Sequence, residues 1–469
     1  MNTRIRTSLL LTLPWLLAAC AMGPDYARPA LDLPERLAPT PPAAESAPPT
    51  PAPIEWWKQF NDPALDTLVA EGLARNQDLA AAATRVASAR AQAGLALADR
   101  LPSVYAAATR ERNRNSELGG NFGPGQPVES TTNRATLNVS YELDFWGRYR
   151  RADEAARADL TGAEAGRAAV RNALVADLVR HYFALTAIDS QLSATRQAIL
   201  RGEEALVMQR KRHEVGVISD YELGQRSAEV DAVRAQLPPL ASRRGQLERS
   251  LAVLLGRSPR DVLGTPPARN TTYAAIPPLA PPGGLASELM LRRPDVIEAE
   301  QRLAAAQARI GVARAAYFPT ISLTALIGGE SSDLADLFQG PARVWNFAGR
   351  LTQPLWGGSR VTRSVESAMA RGEEALAQYR QAVANAFREA RDAIEAEQAA
   401  REVFAIEQRR VTSLARTWEL AKLRHANGAA SQLEVIDAER QLLLAELDRI
   451  ESERAQRAAI ADLYRALGH

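Results

Sequence analysis

The sequence predicts a mixed α+β fold made from one unit written twice, each copy a helix, a strand pair and a long helical hairpin. Two observations carry this. Three landmarks recur in the same order: Asp78-Leu79 through Leu101-Pro102-Ser103 returns as Asp295-Val296 through Phe318-Pro319-Thr320, Phe145-Trp146-Gly147 as Leu355-Trp356-Gly357, and Arg212-His213 with Gly216 and Ser219 as Arg424-His425 with Gly428 and Ser431. The offsets are 217, 210 and 212 residues, and landmarks repeating at nearly one spacing mark a duplicated structural unit. In addition, Arg150 to Val215 and Val361 to Asn427 contain no proline. Continuous helices of that length would reach on the order of 100 Å.

At the start of the chain, Arg4 and Arg6 precede an apolar run from Leu9 to Ala19. The run is too short to span a bilayer as a stable helix and predicts a signal peptide over residues 1–19. It ends in Leu17-Ala18-Ala19-Cys20, and Cys20 is the only cysteine of the 469 residues. A lone thiol makes no intramolecular disulfide, and small residues before it suit a peptidase. The segment resembles the lipobox of bacterial lipoproteins, which implies cleavage before Cys20 and a covalent lipid on it, N-palmitoyl and S-diacylglycerol. An ordinary secretory signal with an incidental cysteine is the alternative. Ala21, rather than Asp, follows Cys20; in such lipoproteins that pattern implies the outer membrane. Residues 20–55 form the lipidated N-terminus and an extended linker rich in Pro, Ala and Ser. No other stretch reaches about 18 apolar residues, so a membrane crossing must use strands.

The first repeat is assigned to residues 56–282 and the second to 283–469. Leu79 to Arg100 is Ala-rich and helical by propensity, and Pro102 ends it. Strand candidates at 103–112 and 132–143 flank a loop with Gly119, Gly120, Gly123 and Gly125. In the second of them, Ala135, Leu137, Val139, Tyr141 and Leu143 alternate with Thr136, Asn138, Ser140 and Glu142, which gives one apolar and one polar face. In the second repeat Ile321, Leu323, Ala325 and Ile327 alternate with Ser322, Thr324 and Leu326, and the return runs from Val344 to Leu355. Strands of roughly 10 residues suit a tilted outer-membrane crossing, yet closed barrels start at about 8 strands. Either the strands belong to a soluble sheet or several chains share one barrel.

The long helices argue for lateral packing. Val365, Met369, Leu376, Tyr379, Val383, Phe387, Ala390 and Ile394 fall at steps of 3, 4 and 7, one apolar stripe. Each rod ends in a turn containing Gly216 or Gly428, and a return helix follows, at about 220–256 and 432–467. Pro238-Pro239 should kink or break the first return. Residues 257–284, dense in proline, read as the connector between repeats.

Several classes are disfavoured. Net charge is +2 with scattered basic residues, which leaves no footprint for nucleic acid. No phosphate loop, zinc helix or nucleophile elbow is present, so no catalytic residue and no metal ligand is assigned. A periplasmic tethering lipoprotein of long coiled helices is the alternative outside the channel class; the alternating strands count against it, since a tether needs none.

Taken together, these residues resemble the outer-membrane efflux proteins related to TolC, in particular the lipoprotein branch typified by OprM and NodT. The resemblance spans nearly the whole chain. It rests on the lipobox, Gly23-Pro24-Asp25-Tyr26 with Arg28-Pro29, Trp56-Trp57, Phe60, Asp62-Pro63, Leu65, Leu68, Asn76, Asp78-Leu79, Tyr141, Leu143, Asp144, Trp146-Gly147 and Arg292-Arg293-Pro294-Asp295. It implies a homotrimer with a 12-stranded transmembrane β-barrel, continuous with a long periplasmic α-helical barrel. It also implies docking onto a periplasmic adaptor and an inner-membrane pump, commonly of the RND type, for efflux of small molecules such as drugs or toxic compounds. The tips, Arg212 to Tyr221 and Arg424 to Leu433, correspond to the adaptor contact, with His213, Gly216, Val217, Ser219, Gly428, Ala429 and Ser431. Carried over by position, Glu222, Glu434, Asp437 and His425 form the periplasmic gate; the other reading of these carboxylates is as solvated helix residues. Where TolC has a tyrosine and an arginine that lock the second tip, this chain has His425 and Ala430, so the lock must differ. His213 and His425 occupy equivalent positions, which raises pH sensing because histidine titrates near neutrality; polar contact with adaptor or water is the blander role.

Overall fold

The computed structural model describes residues 22–34, 55–118, 127–264, 266–270, 287–356 and 358–469. The expected signal peptide, Cys20, most of the Pro-rich linker, the Gly-rich loop at 119–126 and the connector beyond 270 lie outside the described residues. In the first repeat α1 (Pro63–Arg75) and α2 (Gln77–Ala98) lead to β1 (Ser103–Arg114) and β2 (Glu129–Glu142). Then come α3 (Arg148–Glu214), α4 (Asp220–Arg234), α5 (Leu237–Leu254) and a short α6 (Pro259–Gly264) inside the expected connector. The second repeat runs α7 (Pro294–Ala315), β3 (Thr320–Ser331), β4 (Arg343–Thr352), α8 (Gly358–Ala426) and α9 (Gln432–Ala466).

Helices α3 and α8 are unbroken over 67 and 69 residues. Their starts and stops are written locally. Asp144 accepts the backbone N–H groups of Tyr149 and Arg150 at 3.1 and 2.8 Å, a negative charge at the positive end of α3. The first return helix breaks at Ala235 and Gln236. Pro238 causes it, because it has no N–H to continue the ladder and sits comfortably within the first turn of α5. One expectation fails on α8: Val365, Tyr379, Val383, Ala390 and Ile394 are buried, but Met369 is exposed.

The chain divides into two compact units. One contains the sheet, segment 22–30 and the helical stretches within 86–163 and 298–379. Its strands form an antiparallel meander of order β1-β2-β3-β4. The register sets Val104 opposite Val139, Val139 opposite Ala325, and Ala325 opposite Phe347. Side chains alternate along a strand, so Val104, Leu137, Val139, Ile327, Trp345, Phe347 and Leu351 share one face, and all but Val139 are substantially exposed. The opposite face carries Thr109, Thr136, Asn138, Thr324 and Asn346, with Arg134 bonded to Glu330 across β2 and β3. At the helix end of the sheet Trp146 donates to the Pro319 carbonyl at 2.7 Å and stacks on Phe318. The matching Trp356 of the second repeat is almost fully exposed, so the copies have diverged at this landmark.

The second unit holds the larger core. Trp56 stacks on Tyr464 with centroids 4.8 Å apart, and Phe60 meets Phe183 edge-on at 4.8 Å. Aromatic side chains bury roughly 150–250 Å² each, several kcal/mol apiece. Beneath them Asp62 caps α1 through the Ala64 N–H at 3.0 Å and accepts from Tyr182 and from Asn270 Nδ2. Buried Arg293 donates to the Ala466 carbonyl at 2.7 Å and to Glu389 at 2.8 Å, which ties the end of α9 to α8. Among the described residues no helix is long and apolar enough to cross a membrane.

Candidate functional site

The two hairpin tips are built by one device used twice. At the end of α3, the Gly216 N–H bonds the His213 carbonyl and the Val217 N–H the Arg212 carbonyl, both at 2.9 Å. At the end of α8, Gly428 bonds His425 at 3.0 Å and Ala429 bonds Arg424 at 2.8 Å. This paired pattern is the Schellman stop, and it requires a left-handed residue that only glycine adopts cheaply; Gly216 has φ 75° and Gly428 φ 72°. Three residues later the next helix starts on a capping box. The Ser219 N–H donates to Glu222 Oε2 at 2.9 Å while the Glu222 N–H donates to Ser219 Oγ at 3.3 Å. Ser431 and Glu434 repeat this at 3.1 and 3.3 Å. The spacing Gly-x-x-Ser-x-x-Glu is therefore a helix stop joined to a helix start, legible as a capping box from sequence.

Two of the expected gate carboxylates are thus engaged locally. Hydrogen bonds from the Ser219 backbone and then its hydroxyl hold the Glu222 carboxyl below its ordinary value, and the nearby His425 ring adds to this. Asp437 accepts from Arg440 and Gln441, both at 2.6 Å. The tips differ in their histidines. His213 Nε2 reaches Asp220 at 2.7 Å. The position matching Asp220 in the second tip is Gln432, which instead accepts from Gln209 Nε2 at 3.0 Å. His425 Nδ1 meets the Ala430 carbonyl at 3.0 Å; a carbonyl only accepts, so Nδ1 carries the proton. The two positions that depart from the TolC pattern therefore bond to each other through the backbone.

Sequence reasoning missed the pair that joins the hairpins behind the tips. Arg226 of α4, buried, donates to Glu439 of α9 at 2.8 Å, and Arg201 of α3 lies 3.9 Å from the same carboxylate. In the other unit, segment 22–30 is clamped to the start of α3 and to α7. The Met22 N–H bonds the Trp146 carbonyl at 3.2 Å, Arg151 holds Asp25 at 2.5 Å, and Tyr26 and Arg28 donate to Glu300 at 2.9 and 2.7 Å. Burial and then the Glu300 carboxylate push the Tyr26 phenol up, so it remains a neutral donor. Gly23 packs against Gly311 with no room for a Cβ. The Gly23-Pro24-Asp25-Tyr26 and Arg28 signature is thus a strap. No group of three or more His, Cys, Asp or Glu side chains among the described residues is arranged to hold a metal.

A sheet with one apolar face, two proline-free rods and paired helical tips match known proteins closely. The family model for outer membrane efflux proteins matches residues 68–257 and 285–469. This chain belongs to the outer membrane efflux protein family. It is 31% identical to the cation efflux system protein CusC of Escherichia coli strain K12, over 96% of each chain. It is 32% identical to the toluene efflux pump outer membrane protein TtgC of Pseudomonas putida, over 99% of this chain and 96% of the other. The crystal structure of the Campylobacter jejuni CmeC outer membrane channel superposes with a TM-score of 0.88 at 26% identity, covering 96% of this chain and 95% of that one. An efflux protein of this family is the outer-membrane channel of a tripartite system, extends into the periplasm, and is a conduit rather than an enzyme.

Proposed function

We propose that three copies of this chain share one 12-stranded barrel in the outer membrane, with the paired rods continuing as a helical duct in the periplasm. The observation that carries this is the open four-stranded sheet, whose edges β1 and β4 both lack strand partners among the described residues. Its apolar face bears exposed Val104, Leu137, Ile327, Trp345, Phe347 and Leu351. Unpaired edge strands of 12 and 10 residues have no place in hydrocarbon, where every backbone polar group must be satisfied. Closure between copies satisfies them and meets the minimum of about 8 strands.

Cys20 carries the lipid anchor in this reading. The strap supports it: Met22 is bonded to Trp146 beside the end of β2, and two residues reach at most about 7 Å. The lipid is therefore tethered close to the membrane-facing strands. The tips, with His213, Gly216, Val217, Ser219, Gly428, Ala429 and Ser431, meet the periplasmic adaptor that links the channel to an inner-membrane RND pump. Glu222, Glu434, Asp437 and His425 form the periplasmic gate, where carboxylates repeated around a shared axis favour cations. Cargo selection falls to the pump, as relatives named for cations and for toluene are similar to this chain to nearly the same degree.

Single-particle imaging of the detergent-extracted protein tests the assembly. A three-fold hollow cylinder longer than about 100 Å, as the rods require, is the expected result. A compact monomer or solid rod overturns the shared barrel.

A further inference from the structure

The outward face of the sheet changes character at its loop end. On β1, Val104, Ala106 and Ala108 give way to Arg110, Arg112 and Arg114 on the same face, opposite Asn133, Thr131 and Glu129 of β2. On β4, Arg343 shares that face and lies two residues before Trp345. All four arginines are exposed. One carboxylate shares the patch: Glu129 accepts from Arg112 at 2.6 Å and lies 3.8 Å from Arg114. Even so, the Arg112 and Arg114 side chains remain 75% and 71% exposed. Arg110 and Arg343 make no ion pair among the described residues. At the helix end the same face carries Val104, Tyr141, Ile321 and Leu351 and no arginine. The polar face instead balances its charges, as in the pair Arg134 and Glu330.

We propose that this arginine row binds the phosphorylated glycolipid headgroups of the outer leaflet. The inference rests on the shared-barrel reading, because only there does this face meet lipid. Arginine on the lipid face is costly at the midplane and nearly neutral at the interface, so a row confined to one end marks the level of the headgroups. Its forked donors match phosphate oxygens in pairs. The asymmetry between the two ends fits a bilayer whose outer leaflet alone carries bisphosphorylated glycolipid. Closing the barrel sets β4 of one copy beside β1 of the next, which brings Arg343 to the neighbouring row and joins the patches into a belt.

The test is native mass spectrometry of the purified full-length protein, offered bisphosphorylated lipid A, its dephosphorylated form and phosphatidylglycerol at equal concentration. The intact trimer is expected to retain bisphosphorylated lipid A at least tenfold over either competitor. The Arg110→Gln/Arg112→Gln/Arg114→Gln variant is expected to lose that preference by at least tenfold while keeping the trimer mass and single-channel conductance. A trimer that takes up phosphatidylglycerol equally, or a variant that holds lipid A undiminished, overturns the proposal and leaves the barrel standing. Absence of a trimer in the unaltered protein overturns the barrel and this site together. Should the triple variant not assemble, Arg343→Gln with the same three lipids and the phosphate-dependence of the unaltered protein decide the matter.

Discussion

At Gly216 and Gly428 a Cβ would meet open space, so substitution there isolates the backbone. An alanine at a left-handed position costs about 1 kcal/mol or somewhat more. Gly216→Ala and Gly428→Ala are expected to lower hydrogen-exchange protection of the Val217 and Ala429 amides roughly fivefold, with the rest of the chain unchanged. Gly256, also left-handed at φ 69°, is different, because its Cβ would collide with the Arg75 carbonyl. Gly256→Ala should cut the thermal midpoint of the whole protein more than either tip variant does. Glu71 supplies a pH dependence. Arg257 donates to it through two nitrogens at 2.9 Å and holds its carboxyl below the ordinary 4.5. A depressed carboxyl stabilises the fold above about pH 4.5, and that contribution disappears as pH falls through the folded value. The gap in thermal midpoint between the unaltered protein and Glu71→Gln should therefore be present at pH 7 and close in acid. A gap that is constant with pH would remove the ion pair as its cause.

Elements were legible wherever a local rule writes them. The ends of α3 and α8 lie within a few residues of the boundaries read from proline and glycine, and β1 and β3 begin directly after Pro102 and Pro319, which stand four residues beyond the last helical residues Ala98 and Ala315. Ser219 and Glu222 are legible too, because serine followed three residues later by glutamate before a helix writes a capping box. What sequence could not disclose is the pairing of Arg226 with Glu439. They lie on α4 and α9, in different repeats, and no periodicity links two residues that only the fold brings together. Breaking a buried pair from one side leaves a charge uncompensated and costs about 3–5 kcal/mol, while apolar replacement of both is close to neutral. Arg226→Met should thus destabilise more than Arg226→Met combined with Glu439→Leu, as read in a double-mutant cycle of thermal unfolding. Additive losses would mean that the two side chains act separately.

For the whole molecule, the duplicated organisation is plain in one sequence, whereas the number of copies that closes the sheet is not, since it depends on edges that meet only between chains. The lipid anchor is testable in cells. Labelled palmitate is expected to enter the protein and to be absent from Cys20→Ser; equal labelling of both would remove Cys20 as the acylated residue. The strap from Met22 to Arg28 makes its contacts through its own side chains and backbone, so loss of the lipid should leave the barrel able to form.

The order β1-β2-β3-β4 also governs how such a chain can be made. The central pairing, from Glu142 with Ser322 to Asn133 with Ser331, joins residues about 180 or more apart in sequence, a separation that delays closure in folding. Synthesis delivers β1 and β2 first, and they wait as a lone hairpin with an apolar face while the ribosome completes α3 through α7. A two-stranded hairpin is marginal by itself. Until β3 arrives, the second edge of β2 has no strand to pair with, so a chain that ended after the first repeat would leave the hairpin without the central pairing on which the sheet is built.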